Sequence, residues 1–350
     1  MTGNSFKQDI LRRLKAHRIL HPGMEQEDTV KFVFQAMLGP EHLLSARERM
    51  TCGIAAEMEG LSGNPEEPLF EEISPSWSRL NLRRAKKEQI TPSVIAGLMA
   101  ASHADLCFTR QDVFDFCDRL AESEEWGISD GEALKSILDE NWLPSHSSAY
   151  RERYHPAYRI VSSDWIPRME AIRKIAEKQA TEERTLITID GPCASGKTTL
   201  ANRIAYVFDA AVVHTDDYVI PHAKKTPERL AIPGGNCDAA RLVREVVAPW
   251  KRGDPVKYRR YDCGKDRLLP EEELPGSVML ILEGSYSNLP AIREYADLCL
   301  FVDAPEVVRM DRLRKRESEE SLIRFREKWI PLENAYFEAY GLPDGRCLII

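Results

Sequence analysis

Near the middle of the chain runs Gly191-Pro192-Cys193-Ala194-Ser195-Gly196-Lys197-Thr198-Thr199. Two glycines bracket four residues and are followed by lysine and threonine, the spacing of a phosphate-binding loop. Glycines at such positions let backbone N–H groups turn inward onto phosphate oxygens. A helix starting near Lys197 adds the positive end of its dipole. In this pattern the lysine reaches the β- and γ-phosphates and the threonine, here Thr198, holds Mg²⁺. ATP and Mg²⁺ are therefore the expected cofactors, and the whole stretch from Gly191 to Thr199 is the expected nucleotide cradle. Cys193 inside the loop reads as a small filler.

A phosphate loop is common to kinases, GTPases, motors and transport ATPases. No guanine-reading N-K-x-D is present, and no motor-style run of aliphatics ends in two acids. The remaining carboxylates must decide. "VVHTDDYVIP" ends a β-rich run with Asp216 and Asp217. A kinase of small alcohols needs a carboxylate to accept the hydroxyl proton. If the strand continues, the two acids point to opposite sides, so one of them faces the phosphates. We expect Asp216 to do so, close to the metal, with Asp217 binding the substrate or, as the alternative, serving as the base. "MLILEGSY" places Glu283 at another strand end, suited to orient a Mg²⁺-bound water. Arg309, Arg312 and Arg316 share a helix face in "PEVVRMDRLRKRESEE", either to close over a triphosphate or as a solvated basic face.

These residues need a scaffold that brings strand ends together. "TLITID", "AAVVHTD", "SVMLILEG" and "LCLFVDA" are short apolar runs separated by helical stretches. That alternation means a parallel, doubly wound α/β sheet of the P-loop NTPase type over residues 185–350. Ligands in such sheets sit at the carboxyl ends of the strands.

The C-terminal half resembles the uridine kinase / phosphoribulokinase / pantothenate kinase family. The resemblance spans roughly residues 185–340. It is carried by "GPCASGKTT", "HTDDYVIP", "GGNCDAARLVREVVAPWKRGDPVKYRRYDC", "ILEGSYS" and "FVDAPEVVRMDRLRKRE". It implies Asp216 as the catalytic base, Tyr261 and Asp262 near the acceptor, and Arg312 and Arg316 as lid arginines. It also implies γ-phosphoryl transfer from ATP to a hydroxyl of a small molecule, with a uridine- or cytidine-like nucleoside as the leading acceptor. A vitamin or sugar is the alternative acceptor, and a nucleotide-switched binding module the alternative function. The sequence departs from the family at Asp217, where Ser, Asn or Gly is usual, at Glu317 after Arg316, and at Gly234-Gly235-Asn236. Tyr218, Tyr258, Tyr261 and Tyr286 either stack an acceptor or close a core edge.

Residues 1–165 are mostly helical in pattern and match no family we recognise. "EDTVKFVFQAMLG" places Val30, Val33, Phe34, Met37 and Leu38 on one stripe. "TPSVIAGLMAASH", "TRQDVFDFCDRLAES" and "SDGEALKSILDEN" read as further helices. "HSSAYRERYHPAYRIV" gathers His146, Tyr150, Arg151, Arg153, Tyr154, His155, Tyr158 and Arg159, suited to an anion pocket or to a polar interface. His42 with His146 and His155 is a weaker metal pattern. Arg79, Arg83, Arg84, Lys86 and Lys87 in "SRLNLRRAKK" read as a solvated face. The charged stretch 166–184 reads as a linker helix.

The 350 residues carry a formal net charge of -8, with 43% hydrophobic and 30% charged residues. This is globular composition, and the acidic balance argues against a nucleic-acid partner. The eight cysteines form no C-x-x-C pair, which fits reduced thiols in the cytoplasm. No apolar run is long enough to span a bilayer. The oligomeric state is not encoded in any of these patterns.

Overall fold

The computed structural model describes residues 3–40, 44–62, 66–102, 107–128 and 131–350. The chain divides into two units, Met1–Pro167 and Arg168–Ile350. His42 lies outside the described residues.

In the first unit the expected helices form. Gln26–Leu38 buries Val30, Val33, Phe34 and Met37. Pro92–Ala100 starts with the Thr91 side chain accepting from the Val94 N–H. Arg110–Ala121 starts with a capping box made by Thr109 and Asp112. The described part of "SDGEALKSILDEN" forms a short helix, Gly131–Lys135, and a 3₁₀ turn, Ser136–Leu138. A small antiparallel sheet joins the helices, with β1 (Phe70–Glu72), β2 (Trp77–Asn81) and β3 (Tyr158–Ser162) in that spatial order.

This sheet corrects the reading of "SRLNLRRAKK" as one solvated face. Arg79 sits on β2 and is only 2% exposed. Its guanidinium donates to Gln35 Oε1 at 3.1 Å, ion-pairs with Glu71 at 3.3 Å, and packs over the rings of Phe32 and Tyr158. Strand alternation turns it inward, and a buried guanidinium needs such a full set of partners. The helix Leu82–Lys87 then carries the other four cations.

The second unit is built on five parallel strands. They are β4 (Thr185–Asp190), β5 (Ala211–His214), β10 (Met279–Glu283), β11 (Leu298–Phe301) and β12 (Cys347–Ile349). Their spatial order is β12-β11-β4-β10-β5. Two small hairpins lie between β5 and β10: β6 (Lys257–Tyr258) with β9 (Glu272–Glu273), and β7 (Tyr261–Asp262) with β8 (Arg267–Leu268). β4 and β10 are buried along their whole length, as continuous apolar runs in a central parallel sheet should be. Helix Lys197–Phe208 packs Leu200, Ala201, Ile204 and Val207 inward. The register sets Glu283 beside His214 and Ile189, and Phe301 beside Asp190. Four strands therefore deliver their last residues to one edge.

The stretch expected as a linker contains helix Met169–Thr181, which belongs to the second unit and buries Met169, Ile172 and Ile175. Its thin apolar stripe is enough to seat it beside β11. Among the described residues no helix is long and apolar enough to cross a membrane.

Candidate active site

The loop between β4 and helix Lys197–Phe208 has the backbone of an anion cradle. Gly191 and Gly196 adopt φ of 138° and 110°. A Cβ on Gly191 would stand 2.2 Å from the Val302 carbonyl oxygen, so no other residue fits. Lys197 is buried, with Nζ 2.8 Å from the Gly191 carbonyl and 3.0 Å from that of Pro192. Ser195 Oγ is buried within the loop and makes no hydrogen bond. A buried hydroxyl without a partner, beside a helix N-terminus and a lysine, fits a ligand rich in acceptor oxygens.

Beside the loop, Thr198 donates from Oγ1 to Glu283 Oε1 at 3.0 Å. The same oxygen lies 2.5 Å from His214 Nδ1. Glu283 is almost wholly buried, and His214 is half-exposed. The hydrogen bond to Glu283 raises the His214 pKa above its ordinary value, against the opposing effect of burial. Gly284 follows at φ 128°, where a Cβ would meet Thr215 Oγ1 at 2.2 Å. That close approach lets Thr215 donate to the Ser285 carbonyl at 2.8 Å and ties the exits of β5 and β10 together.

Asp216 and Asp217 lie in a 3₁₀ turn, Thr215–Tyr218, not on a continuing strand. This corrects the expectation that strand alternation separates them, yet they still face different charges. Asp216 shares its surroundings with Lys197, Glu283, Glu333 and His214. Its side chain opens to solvent on one side and is backed by these charged groups on the other. Burial raises its pKa above the usual carboxylate value, Lys197 and His214 pull it down, and Glu283 and Glu333 push it up. Asp217 is raised by burial as well, but its counter-charges are His214 and Arg260, the latter on the hairpin side.

The other acids that end strands play different parts. Asp190 is fully buried and accepts from the Gly191 and Asn288 N–H groups at 2.7 and 2.9 Å and from Tyr336 Oη at 2.7 Å. Burial lifts its pKa to about 6, and those donors hold it back. It anchors the loop from beneath. Asp303 is exposed and accepts from the Ala304 N–H at 2.8 Å.

Helix Glu306–Arg316 covers the loop. Met310 and Leu313 pack against Cys193, Ala194 and Leu322. Arg312 donates to the carbonyls of Ala194 and Ser195 at 3.0 and 2.9 Å, and Arg309 to that of Cys193 at 3.5 Å. Arg316, expected alongside Arg312, pairs instead with Glu317 at 2.8 Å at the exposed end of the helix.

The expected acceptor residues are dispersed. Tyr218 is wholly buried in the core with the Arg241 guanidinium 4.1 Å from its ring centre, so it offers a ligand no surface. Tyr261 is buried and donates to Asp266, and Asp262 accepts from the Gly264 and Lys265 N–H groups, both at 3.0 Å. These contacts close the hairpin turn. Local hydrogen bonds between short polar side chains and turn amides win over a role at a distance. Tyr286 is buried against Tyr336, and Tyr258 is half-buried on β6.

Two residues at the loop had no motif to mark them. Glu333, on helix Ile330–Tyr340, is buried and accepts from the Cys193 N–H at 3.0 Å and from Ser285 Oγ at 2.5 Å. It arrives from far along the chain. His214 was visible as the residue before Thr-Asp-Asp, but only the β5–β10 register reveals its partner.

A family signature runs through residues 186–320. They match the Phosphoribulokinase / Uridine kinase family. No curated protein matches the chain. Among solved structures, one described as a possible uridine kinase from Bacillus stearothermophilus aligns at 20% identity, covering 53% of this chain and 99% of its own, with a TM-score of 0.41. Another, described provisionally as a fructose transport system kinase from Silicibacter sp. TM1040, aligns at 22% identity, covering 49% of this chain and 93% of its own, with a TM-score of 0.40.

Proposed function

We propose that this protein is an ATP-dependent kinase that transfers the γ-phosphoryl group to a hydroxyl of a small molecule, with a uridine- or cytidine-like nucleoside as the first acceptor class. The observation that supports it is the convergence of Lys197, Thr198, Glu283, His214 and the Asp216 turn on one sheet edge.

Lys197 and the amides at the start of helix Lys197–Phe208, within the Gly191–Thr199 loop, hold the phosphates. Thr198 and Glu283 already share a hydrogen bond, and with Asp216 nearby they form the oxygen donor set for Mg²⁺. ATP with magnesium supplies an electrophilic phosphoryl group whose charge must be neutralised during transfer. Asp216 accepts the acceptor's hydroxyl proton; its raised pKa makes it a stronger base than an ordinary carboxylate. His214 holds Glu283 in place. Arg312 fastens the lid helix to the loop, with Arg316 one turn further on as the second lid arginine. Asp217 lies toward Arg260 on the hairpin side, and Tyr261 and Asp262 brace the hairpin turn there. Tyr218 acts on that side only by supporting Arg241, which donates to the Asp217 carbonyl at 2.9 Å. A cytoplasmic location, where ATP is abundant, goes with this reading.

The test is Asp216→Asn assayed with a panel of nucleosides, sugars and vitamins. Transfer should fall by about 10²–10⁴, the share of a general base, while ATP binding persists. Undiminished acceptor phosphorylation rules out Asp216 as the base. ATP hydrolysis that no acceptor stimulates would instead favour a nucleotide-switched binding module.

A further inference from the structure

Within the first unit lies a second concave site, far in sequence from the phosphate loop. It is a cleft of about 480 Å³, within the size range of small-ligand pockets. Separate segments contribute its walls: Lys31 from helix Gln26–Leu38, Arg83 from helix Leu82–Lys87, and Arg151 from helix Ser148–Tyr154. Pro144 and Pro156 supply apolar wall.

The charges in this cleft do not cancel. Glu57 is its single acidic wall residue, and it is engaged by Arg159 at 2.6 Å. Among the described residues, no carboxylate lies within ion-pair distance of Lys31, Arg83 or Arg151. Arg83 is fixed by donating to the His155 carbonyl at 2.7 Å. His155 is left-handed, at φ 44°, and that turn aims its carbonyl at Arg83. His146 has both nitrogens engaged, with Nδ1 2.7 Å from Asp28 and Nε2 2.7 Å from Tyr158 Oη, and its ring stacks on Tyr150 at 4.3 Å. In a chain of net charge -8, three cations line this one hollow with no carboxylate in ion-pair contact, and together they favour an anion there. Lys31 has its amine pushed down to about 8, by burial first and then by the guanidinium of Arg79, with Asp28 opposing and Arg151 and Arg159 adding to the fall.

We propose that this cleft is a second ligand site, which binds a small metabolite through a phosphate group held by Lys31, Arg83 and Arg151. Guanidiniums suit phosphate geometry, and three cations suit a doubly charged oxyanion better than a carboxylate. The site is independent of the proposed transfer reaction and does not use the phosphate loop.

The test reads Lys31 directly. The full chain is acylated at neutral pH, and the modification rate at Lys31 is followed by mass spectrometry with inorganic phosphate, pyrophosphate or glycerol phosphate present. Occupancy should slow labelling by about tenfold when the probe reaches about ten times its Kd. Protection should persist in Lys197→Ala and disappear in Arg151→Gln. Arg151 is exposed, so that change should leave folding intact. Unchanged labelling with all three probes overturns the proposal. So does equal protection by chloride at matched ionic strength, loss of protection in Lys197→Ala, or full protection retained in Arg151→Gln.

Discussion

Gly191 shows how narrow the tolerance of this site is at the scale of one residue. Its positive φ and the approach of the Val302 carbonyl leave no room for a side chain. Gly191→Ala therefore combines backbone strain with a clash against main chain that cannot rotate away. We expect a loss of about 3 kcal/mol in stability, with ATP binding weakened because the loop amides are displaced. Thermal unfolding and nucleotide titration check this; a variant as stable as the parent would mean that the loop and β11 can move apart freely. Asp190 works on the same loop from below, and its three donors explain why a buried carboxyl is tolerated there.

Among the elements, helix Glu306–Arg316 has the most to say about function. Two apolar side chains, Met310 and Leu313, hold it on the loop, while Arg312 grips the loop carbonyls. Arg312→Ala leaves the apolar contact and removes the grip. The expected outcome is a fall in kcat of about 10²-fold, as for a lost charge-stabilising donor, with little change in unfolding temperature. Arg316→Ala should have a smaller effect, since Arg316 is engaged by Glu317 in this arrangement. Steady-state kinetics of both variants decide the point; equal losses would mean that the helix shifts to bring both arginines over the phosphates. The hairpins of β6–β9 stand apart from this machinery. Their polar residues satisfy their own turns, which is why Tyr261 and Asp262 read as acceptor residues in sequence yet serve as turn residues in space.

Across the whole molecule, the two units should answer acid differently. His17 and His146 are buried, and desolvation lowers both to about 4. A histidine that ionises less readily when folded binds more protons unfolded, so its contribution to stability is lost as pH falls from about 6.5 toward 4. Glu71 and Asp28, lowered in the folded state, lose theirs at lower pH still. All four act in one direction, and the first unit should lose on the order of a few kcal/mol between neutral pH and pH 4. In the second unit, Asp190 is raised to about 6, so the folded state binds the extra proton and stability rises as pH falls through that value. Hydrogen exchange on the intact chain at pH 7 and pH 5, corrected for intrinsic rates, should show protection dropping first in peptides from Met1–Pro167. Uniform loss across both units would contradict this division.

The sequence by itself determined the phosphate loop, the four apolar strands that lead to the site, and the helices whose stripes repeat every three or four residues. These are local facts: a glycine spacing, an apolar run or a capping residue acts on its own neighbours, and one chain reports them without help. Only the tertiary structure decided which distant side chains meet. β12 is three residues long at the very end of the chain and carries no pattern of its own. Glu333 reaches the Cys193 amide across most of the second unit. Arg79 lies in a basic stretch yet turns inward, because the partners that make its burial possible come from other helices and strands. Glu283 and His214 become a pair through strand register alone. Long-range pairing depends on how elements pack, and packing energy is summed over the whole core rather than written in any one segment.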